Sequence, residues 1–216
     1  MSFLTILEQL TPGMWRSMLI FFLTLLFSLP LGLAVAFGRM SKCTPWRWLI
    51  KAYISIMRGT PLMLQLMVVY YGPFYIFGVS ISSGYKFYAV IIAFVVNYAA
   101  YFAEIYRGGI ESIAVGQYEA AEVLGYTKNQ TFFRIILPQV IKRILPSITN
   151  EIITLIKDTS LSFVITYMEM FTTARQIAAS QSSVLPFVGA AVFYYVFNLI
   201  VAVLMEKAEK RAAYFE

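Results

Sequence analysis

The sequence contains no histidine, a single cysteine (Cys43) and few charged residues, which make up 13% of its 216 residues. One cysteine cannot close a disulfide within the chain, and without histidine there is no plausible zinc, haem or Ser-His site. The chain also lacks the Gly-x-x-x-x-Gly-Lys-Ser/Thr sequence that cradles nucleotide phosphates, so we do not expect it to hydrolyse ATP. No nucleophile–base constellation is recognisable in the sequence either, so a membrane enzyme has little support.

Apolar residues, in contrast, are abundant. They make up 60% of the chain, and the mean hydropathy is +0.73. Such a composition cannot cover the surface of a soluble protein, and the apolar segments continue for about 20 residues, the length that crosses a bilayer as a helix. Lipid cannot satisfy backbone hydrogen-bonding groups, and the alternating pattern of a β-barrel strand is missing. We therefore predict an all-α integral membrane protein.

The pattern predicts about five transmembrane helices in a single domain that covers residues 1–216. The expected spans are residues 14–37, a second span that ends near residue 77, and residues 87–105, 144–167 and 185–205. Residues 46–57 are basic and aromatic, which is typical of an interfacial helix. This helix leads into the second span through Arg58-Gly59-Thr60-Pro61, where the proline favours a bend.

The basic residues near the span ends predict the orientation. If the N-terminus lies outside, all but four of the 17 lysines and arginines fall on one side of the membrane, the exceptions being Arg16, Lys86, Lys157 and Arg175. The crowded side should be the cytoplasm, which also places the C-terminus there. The net charge of +6 then reflects topology and attraction to anionic membrane lipid, and it gives no reason to expect nucleic acid as a partner.

A polar stretch from residue 107 to residue 142 forms the longest predicted cytoplasmic loop. Residues 117–124 are strong helix formers, Gly125 is suited to a left-handed stop, and Pro138 is suited to open the next element. Ala120 and Ala121 would leave a shallow surface on which another protein could pack. From the residues alone, a plain surface helix and a docking helix are about equally supported.

Within this loop, Glu119-Ala120-Ala121, two residues, Leu124-Gly125, nine residues, Ile135, one residue and Leu137-Pro138 form a spaced pattern. The pattern resembles that of permease subunits of binding-protein-dependent ABC importers. The resemblance implies the type I ABC importer permease (MetI-like) fold in the bacterial cytoplasmic (inner) membrane. It also implies that residues 107–142 are a coupling loop, in which Glu119, Ala120, Ala121 and Gly125 dock onto an ATPase subunit.

The same resemblance implies a set of partners. They are two ABC ATPase subunits that bind ATP and Mg, an extracytoplasmic solute-binding protein, and a second permease subunit in a homodimer or a heterodimer. This chain itself would bind no cofactor. Further segments resemble permeases for polar and basic amino acids, of the histidine, arginine and glutamine type. They are Arg58-Gly59-Thr60-Pro61 with Gln65, Asn97, Glu104 with Arg107-Gly108, and Lys157-Asp158-Thr159-Ser160-Leu161.

Two carboxylates in the fourth predicted span are candidate functional groups. Glu151 and Asp158 are seven residues apart, which places them on one helix face and about 10 Å apart along the axis. A carboxylate near the bilayer centre is costly and needs a partner or a hydrated cavity. For Asp158, neutralisation by Lys157 or a neighbouring helix is as well supported as ligand binding. Glu151 has no cation on the same turn, which favours a functional role.

Buried carboxylates favour a cationic substrate, so arginine, lysine or protonated histidine is the expected cargo. Asn97 falls at a similar depth, and Asn97, Asn150 and Tyr98 are expected to fix the rest of the molecule, with Tyr98 as a cation–π wall. The alternative is an autonomous secondary transporter or channel, in which Glu151 and Asp158 relay ions or protons.

Overall fold

The computed structural model describes residues 3–212, which are almost entirely helical. The segments in chain order are α1 (Phe3–Arg39), α2 (Thr44–Gly59), α3 (Leu62–Phe77), α4 (Tyr85–Glu111), α5 (Val115–Val123), α6 (Lys128–Gln130), a π-helical segment (Thr131–Ile136), α7 (Leu137–Asp158), a 3-10 segment (Thr159–Ile165), α8 (Met170–Gln181) and α9 (Leu185–Ala212).

Three of these helices, α1, α4 and α9, are long and apolar enough to cross a membrane. The pair α2 and α3 qualifies as a fourth span if the two helices are counted together, although they meet at 110°. Four of the five predicted spans therefore have a counterpart among the described residues. The fourth predicted span, residues 144–167, does not. Helix α7 is 22 residues long but carries several charged residues, and a 3-10 segment follows it from Thr159.

The sharp bend between α2 and α3 lies at Thr60-Pro61, as the sequence predicts. Proline disfavours helical backbone at the residue before it, and Thr60 is extended, with φ −124° and ψ 147°. The carbonyls freed at the end of α2 are taken up by Gln65, whose Nε2 donates to Met57 O at 2.9 Å and to Thr60 O at 3.1 Å. The bend is thus held by side-chain hydrogen bonds.

Pro138 lies in the first turn of α7, as expected of a residue that opens the next element, but α7 continues an earlier helix without a break. The helix begins ten residues earlier, where the Thr127 hydroxyl accepts from Gln130 N and the Gln130 side chain accepts from Thr127 N, a reciprocal capping box. It then passes through the π-helical segment into α7, with Pro138 in the first turn of α7. A wider π-helical turn just before a proline relieves the clash between its ring and the preceding turn, so the helix continues.

The core is formed where α1, α4, α7 and α9 pack together with the 3-10 segment and α8. Helix α4 lies at its centre and buries Phe94, Tyr98 and Phe102 almost completely. Helix α1 approaches α4 closely at Gly32, where an added Cβ would lie 2.8 Å from Phe102 Cβ and 3.1 Å from Ala99 O. This close packing fixes α4 as the scaffold against which the polar residues of α7 are positioned.

Candidate substrate site and coupling surface

Helix α7 carries both candidate carboxylates on one face. Glu151 lies two turns before the C-terminal end of the helix and Asp158 is its last residue. Their neighbours Ile152, Leu155 and Ile156 are buried against the core, whereas both acidic side chains are half-buried. The helix therefore presents two carboxylates at the edge of its packed face, where they can reach a ligand.

Asp158 has a specific partner in the adjacent helix. The Tyr98 hydroxyl donates to Asp158 Oδ2 at 2.7 Å. Tyr98 is 2% exposed, so its ring face is packed against the core and is not offered to a ligand in this conformation. The neighbour Lys157 is exposed. The interaction between Tyr98 and Asp158 orients the carboxylate and leaves its second oxygen for another donor.

Glu151 has a different environment. Within residues 3–212 its carboxylate forms no hydrogen bond or ion pair, and the groups that act on it electrostatically are Arg58 and Asp158. A half-buried carboxylate without a direct partner is costly unless a hydrated cavity or a cationic ligand compensates it. The absence of a direct partner among the described residues distinguishes Glu151 from a carboxylate that serves in a structural ion pair.

The two asparagines lie in different environments. Asn97 is 3% exposed, and its Nδ2 donates to Met57 O at 3.1 Å and to Gln65 Oε1 at 2.9 Å, so its amide joins α4 to the bend between α2 and α3. Asn150 is exposed on α7, where its carbonyl accepts from the Thr154 hydroxyl. In this conformation Asn150 is free to reach a ligand, and Asn97 is occupied by the bend.

Arg58 is a further charged residue near the site, and the sequence analysis did not connect it with Glu151. Its guanidinium carbon lies 5.4 Å from the centre of the Tyr101 ring, a cation–π arrangement, and its NH1 lies 3.9 Å from Glu104 Oε2. Arg58 therefore connects the bend to α4. The sequence signal was its position at the end of α2, beside Gly59-Thr60-Pro61.

Glu104 and Arg107, three residues apart on α4, form an ion pair. Arg107 donates through Nε and NH2 to both Glu104 oxygens, the shortest distance being 2.6 Å, and its NH1 lies 2.5 Å from Glu111. Such a bidentate arrangement fixes both side chains. Because Glu104 is already paired, Arg58 at 3.9 Å is a second and weaker partner for it.

Glu169 is a buried carboxylate that the sequence reasoning missed. It is fully buried at the N-terminus of α8, where it accepts from the backbone N–H of Phe171 and of Thr172, both at 2.7 Å. The hydroxyls of Tyr194 and Ser17 also donate to it. These donors satisfy the carboxylate completely, so it caps α8 and ties together α1, α8 and α9. In the sequence, Glu169 is only a lone acidic residue before a helix, which does not distinguish it from a surface residue.

The predicted docking helix is α5, and its end is as expected. Gly125 has φ +77°, a left-handed conformation, and Tyr126 N donates to Ala121 O at 3.0 Å to close the helix. Ala121 is 1% exposed and packs inward, so of the two alanines only Ala120 lies on the surface, together with Glu119. The surface around them is apolar, because Val123 and Leu124 are 87% and 73% exposed.

Helix α5 is connected to the helix that carries the acidic residues. Arg143 of α7 donates through NH1 to both the backbone carbonyl and the hydroxyl of Ser112, at the start of the α4–α5 connection. Gln139 of α7 donates to the Gln117 side chain at 3.2 Å. Of these contacts, the bond between Gln139 and Gln117 joins α7 to α5 itself, and the bonds to Ser112 join α7 to the end of α4.

The chain that forms this helical architecture matches a known family. Residues 28–214 match the family described as binding-protein-dependent transport system inner membrane component, and the chain belongs to it. The protein is thus the permease subunit of an ABC importer in the inner membrane, with ATP hydrolysis performed by a separate subunit. The family resemblance inferred from the Glu119 loop is confirmed.

The relatives include several permeases. The L-cystine transport system permease protein TcyB of Bacillus subtilis (strain 168) is 36% identical over 204 residues, covering 94% of this chain and 86% of TcyB. The arginine transport system permease protein ArtQ of the same organism is 37% identical over 187 residues, covering 86% of this chain and 84% of ArtQ. A putative glutamine transport system permease protein, GlnP of Rickettsia conorii (strain ATCC VR-613 / Malish 7), is 34% identical over 190 residues, covering 88% of this chain and 86% of GlnP.

Solved structures confirm the MetI-like fold. A crystal structure of an amino acid ABC transporter with histidines has a TM-score of 0.88 and 32% identity, and the match covers 98% of this chain and 99% of that chain. An inward-facing structure of the MetNI methionine ABC transporter has a TM-score of 0.75 over 95% of this chain and 97% of that chain. Its identity is 18%, so it supports the fold alone.

Proposed function

We propose that this permease imports amino acids and that the basic amino acids arginine, lysine and protonated histidine are its preferred substrates. The observation that carries the proposal is the Glu151 carboxylate, half-buried on α7 without a hydrogen bond or ion pair among residues 3–212. A guanidinium or ammonium would supply the charge-assisted hydrogen bonds that this group lacks. Amino-acid transport is supported by the relatives, which are named for L-cystine, arginine and glutamine. Of these three amino acids, only arginine has a cationic side chain.

The proposed site has a division of roles. Glu151 receives the cationic side chain, and Asp158, oriented by the Tyr98 hydroxyl, receives a second donor about two turns further along α7. Asn150 is exposed beside Glu151 and can bind a polar group of the substrate. Asn97 contributes in this proposal by holding the bend between α2 and α3, since its amide already bonds Gln65 and Met57.

The energy for transport enters at α5 in this proposal. The exposed Glu119 and Ala120, with Val123 and Leu124, form a surface onto which an ATPase subunit docks, and Gly125 sets where that surface ends. Hydrogen bonds from Gln139 and Arg143 connect the surface to α7. Movement of the ATPase would then shift the helix that carries Glu151, which is the coupling that alternating access requires.

The complete importer in this proposal contains two permease subunits, two ATPase subunits and an extracytoplasmic binding protein. The N-terminus lies outside and the C-terminus lies in the cytoplasm, so that α5 faces the ATPase. The pathway runs where the two permeases meet, because the spans of one chain enclose little by themselves. The alternative of an autonomous transporter has no support among the relatives, which are named as permease subunits of transport systems.

Competition uptake tests the proposal. The complete importer is reconstituted in proteoliposomes, and uptake of labelled arginine is measured with excess lysine, histidine, glutamine, glutamate or cystine as competitor. We expect ATP-dependent uptake in which lysine and histidine compete most strongly. Preferred uptake of glutamate would contradict the assignment of a cationic site, and uptake driven by an ion gradient without ATP would contradict coupling through α5.

A further inference from the structure

Two adjoining cavities lie beside the C-terminal end of α1 and helix α2, and the larger one also reaches α4 at Tyr101 and Glu104. One has a volume of about 480 Å³ and the other about 190 Å³, and both are lined by Arg39 and Lys51. Arg47 adds a third cation to the smaller cavity and Arg58 adds one to the larger. The two cavities thus form one basic depression, which we call the α1–α2 basic cleft.

The charge of the α1–α2 basic cleft is poorly balanced. The carboxylate that lines it is Glu104, and both of its oxygens are already hydrogen-bonded by Arg107. Arg39 is half-buried, and Lys51 lies 5.1 Å from the Trp48 ring centre, which holds the ammonium near the cleft. Several cations held close together repel one another, so an anion that binds between them lowers the energy of the cleft.

The residues around the cleft indicate where in the membrane it lies. Trp46 and Trp48 are 49% and 62% exposed, and Leu49 beside them is 60% exposed. Exposed tryptophans with basic neighbours are typical of the interface between lipid acyl chains and head groups. Gly38 near the end of α1 packs against the Trp46 indole, where an added Cβ would lie 3.1 Å from Nε1, so α2 is fixed at this depth.

We propose that the α1–α2 basic cleft binds the phosphate of an anionic phospholipid, such as phosphatidylglycerol, in the cytoplasmic leaflet. Arg39 and Lys51 bind the phosphate, while Trp46, Trp48 and Leu49 contact the glycerol and the upper acyl chains. A phosphodiester fits because arginine and lysine both bind phosphate oxygens, and lipid holds the phosphate at the depth of the tryptophans. The cleft shares Arg58 with the surroundings of Glu151, but the residues that bind the phosphate in this proposal are Arg39 and Lys51.

Lipid binding to the purified importer tests the proposal. The complex in detergent is titrated with phosphatidylglycerol or phosphatidylcholine, and bound lipid is counted by native mass spectrometry. We expect the wild type to bind phosphatidylglycerol more tightly than phosphatidylcholine. The double variant Arg39→Gln/Lys51→Gln should weaken phosphatidylglycerol binding by roughly 30-fold, about fivefold for each cation removed. Phosphatidylcholine binding should be unchanged.

Two further variants keep the result interpretable. Arg39→Lys/Lys51→Arg retains both charges and should retain binding, which shows that loss in the glutamine variant reflects charge and not misfolding. Lys128→Gln/Lys207→Gln removes two exposed cations that do not line the cleft, and it should bind phosphatidylglycerol like the wild type. Equal loss in both glutamine variants would overturn the site, because it would indicate nonspecific charge attraction.

Added inorganic phosphate distinguishes a lipid head group from a free anion. We expect millimolar phosphate to leave phosphatidylglycerol bound, since the tryptophans and Leu49 hold the lipid but not the ion. Displacement of the lipid by phosphate at that concentration would overturn the assignment to lipid. Equal binding of phosphatidylglycerol and phosphatidylcholine by the wild type would also overturn it.

Discussion

Replacement of Glu151 by glutamine removes one charge and almost no volume, so it isolates the electrostatic role of this residue. If a cationic side chain binds Glu151, the variant loses a hydrogen bond between charged groups, which is worth about 1.5–3 kcal/mol. This corresponds to a loss of affinity for arginine of roughly 10-fold to 150-fold. The effect on folding should be small, because within residues 3–212 the wild-type carboxylate forms no hydrogen bond or ion pair.

The assay is ATP-dependent uptake of labelled arginine by proteoliposomes that contain the complete importer, measured over a range of arginine concentrations. Glu8→Gln is the matched control, since Glu8 is exposed near the start of α1 and far along the chain from the site. We expect a raised half-saturating arginine concentration in Glu151→Gln and an unchanged value in Glu8→Gln. Glutamine uptake should be retained or increased in the Glu151 variant. If the correctly assembled Glu151→Gln variant takes up arginine with the same concentration dependence as the wild type, Glu151 does not bind the cationic substrate. Its charge then has no role in substrate selection.

Three other changes test separate parts of the structure. Arg58→Gln should increase arginine affinity by about twofold to fivefold, because a partly exposed positive charge that acts on Glu151 is removed. The gain should vanish in a Glu151→Gln background, and a gain that persists there would show that Arg58 acts elsewhere. Gly109→Ala should destabilise the protein by about 1–3 kcal/mol, because the added Cβ would lie 2.1 Å from Ile144 Cγ2. In the control Gly108→Ala the added Cβ meets open space, so this variant should be neutral or stabilising. Equal melting temperatures of the two variants would contradict the packing of α4 on α7. Ala120 lies on the exposed face of α5, so Ala120→Asp should leave the fold intact while it reduces substrate-stimulated ATPase activity and uptake. Unchanged uptake would exclude this surface as the coupling contact.

Local patterns predicted the elements whose cause is local. The apolar runs that give α1, α4 and α9 are visible as unbroken hydrophobic stretches, and the end of α5 follows from Gly125, whose backbone adopts φ +77°. The bend at Thr60-Pro61 also follows from the sequence, since proline restricts the residue before it. In each case the responsible residues lie within one or two turns of the feature that they determine.

The missed features depend on pairs that are distant in sequence. The bond between Tyr98 and Asp158 joins residues 60 positions apart, and the contacts of Arg58 with Glu104 and Tyr101 join α2 to α4. The change from α7 to a 3-10 segment at Thr159 has no glycine or proline to mark it, because tertiary packing determines it. Glu169 likewise acquires its role from donors on α1 and α9 that only the fold brings to it.

The decisive measurement is a structure of the complete importer in lipid nanodiscs with arginine bound. We expect density for arginine beside α7, with its guanidinium within hydrogen-bond distance of Glu151 and a second polar contact at Asp158 or Asn150. Arginine bound away from α7, or Glu151 paired with a cation of the second permease subunit while arginine is bound elsewhere, would contradict it.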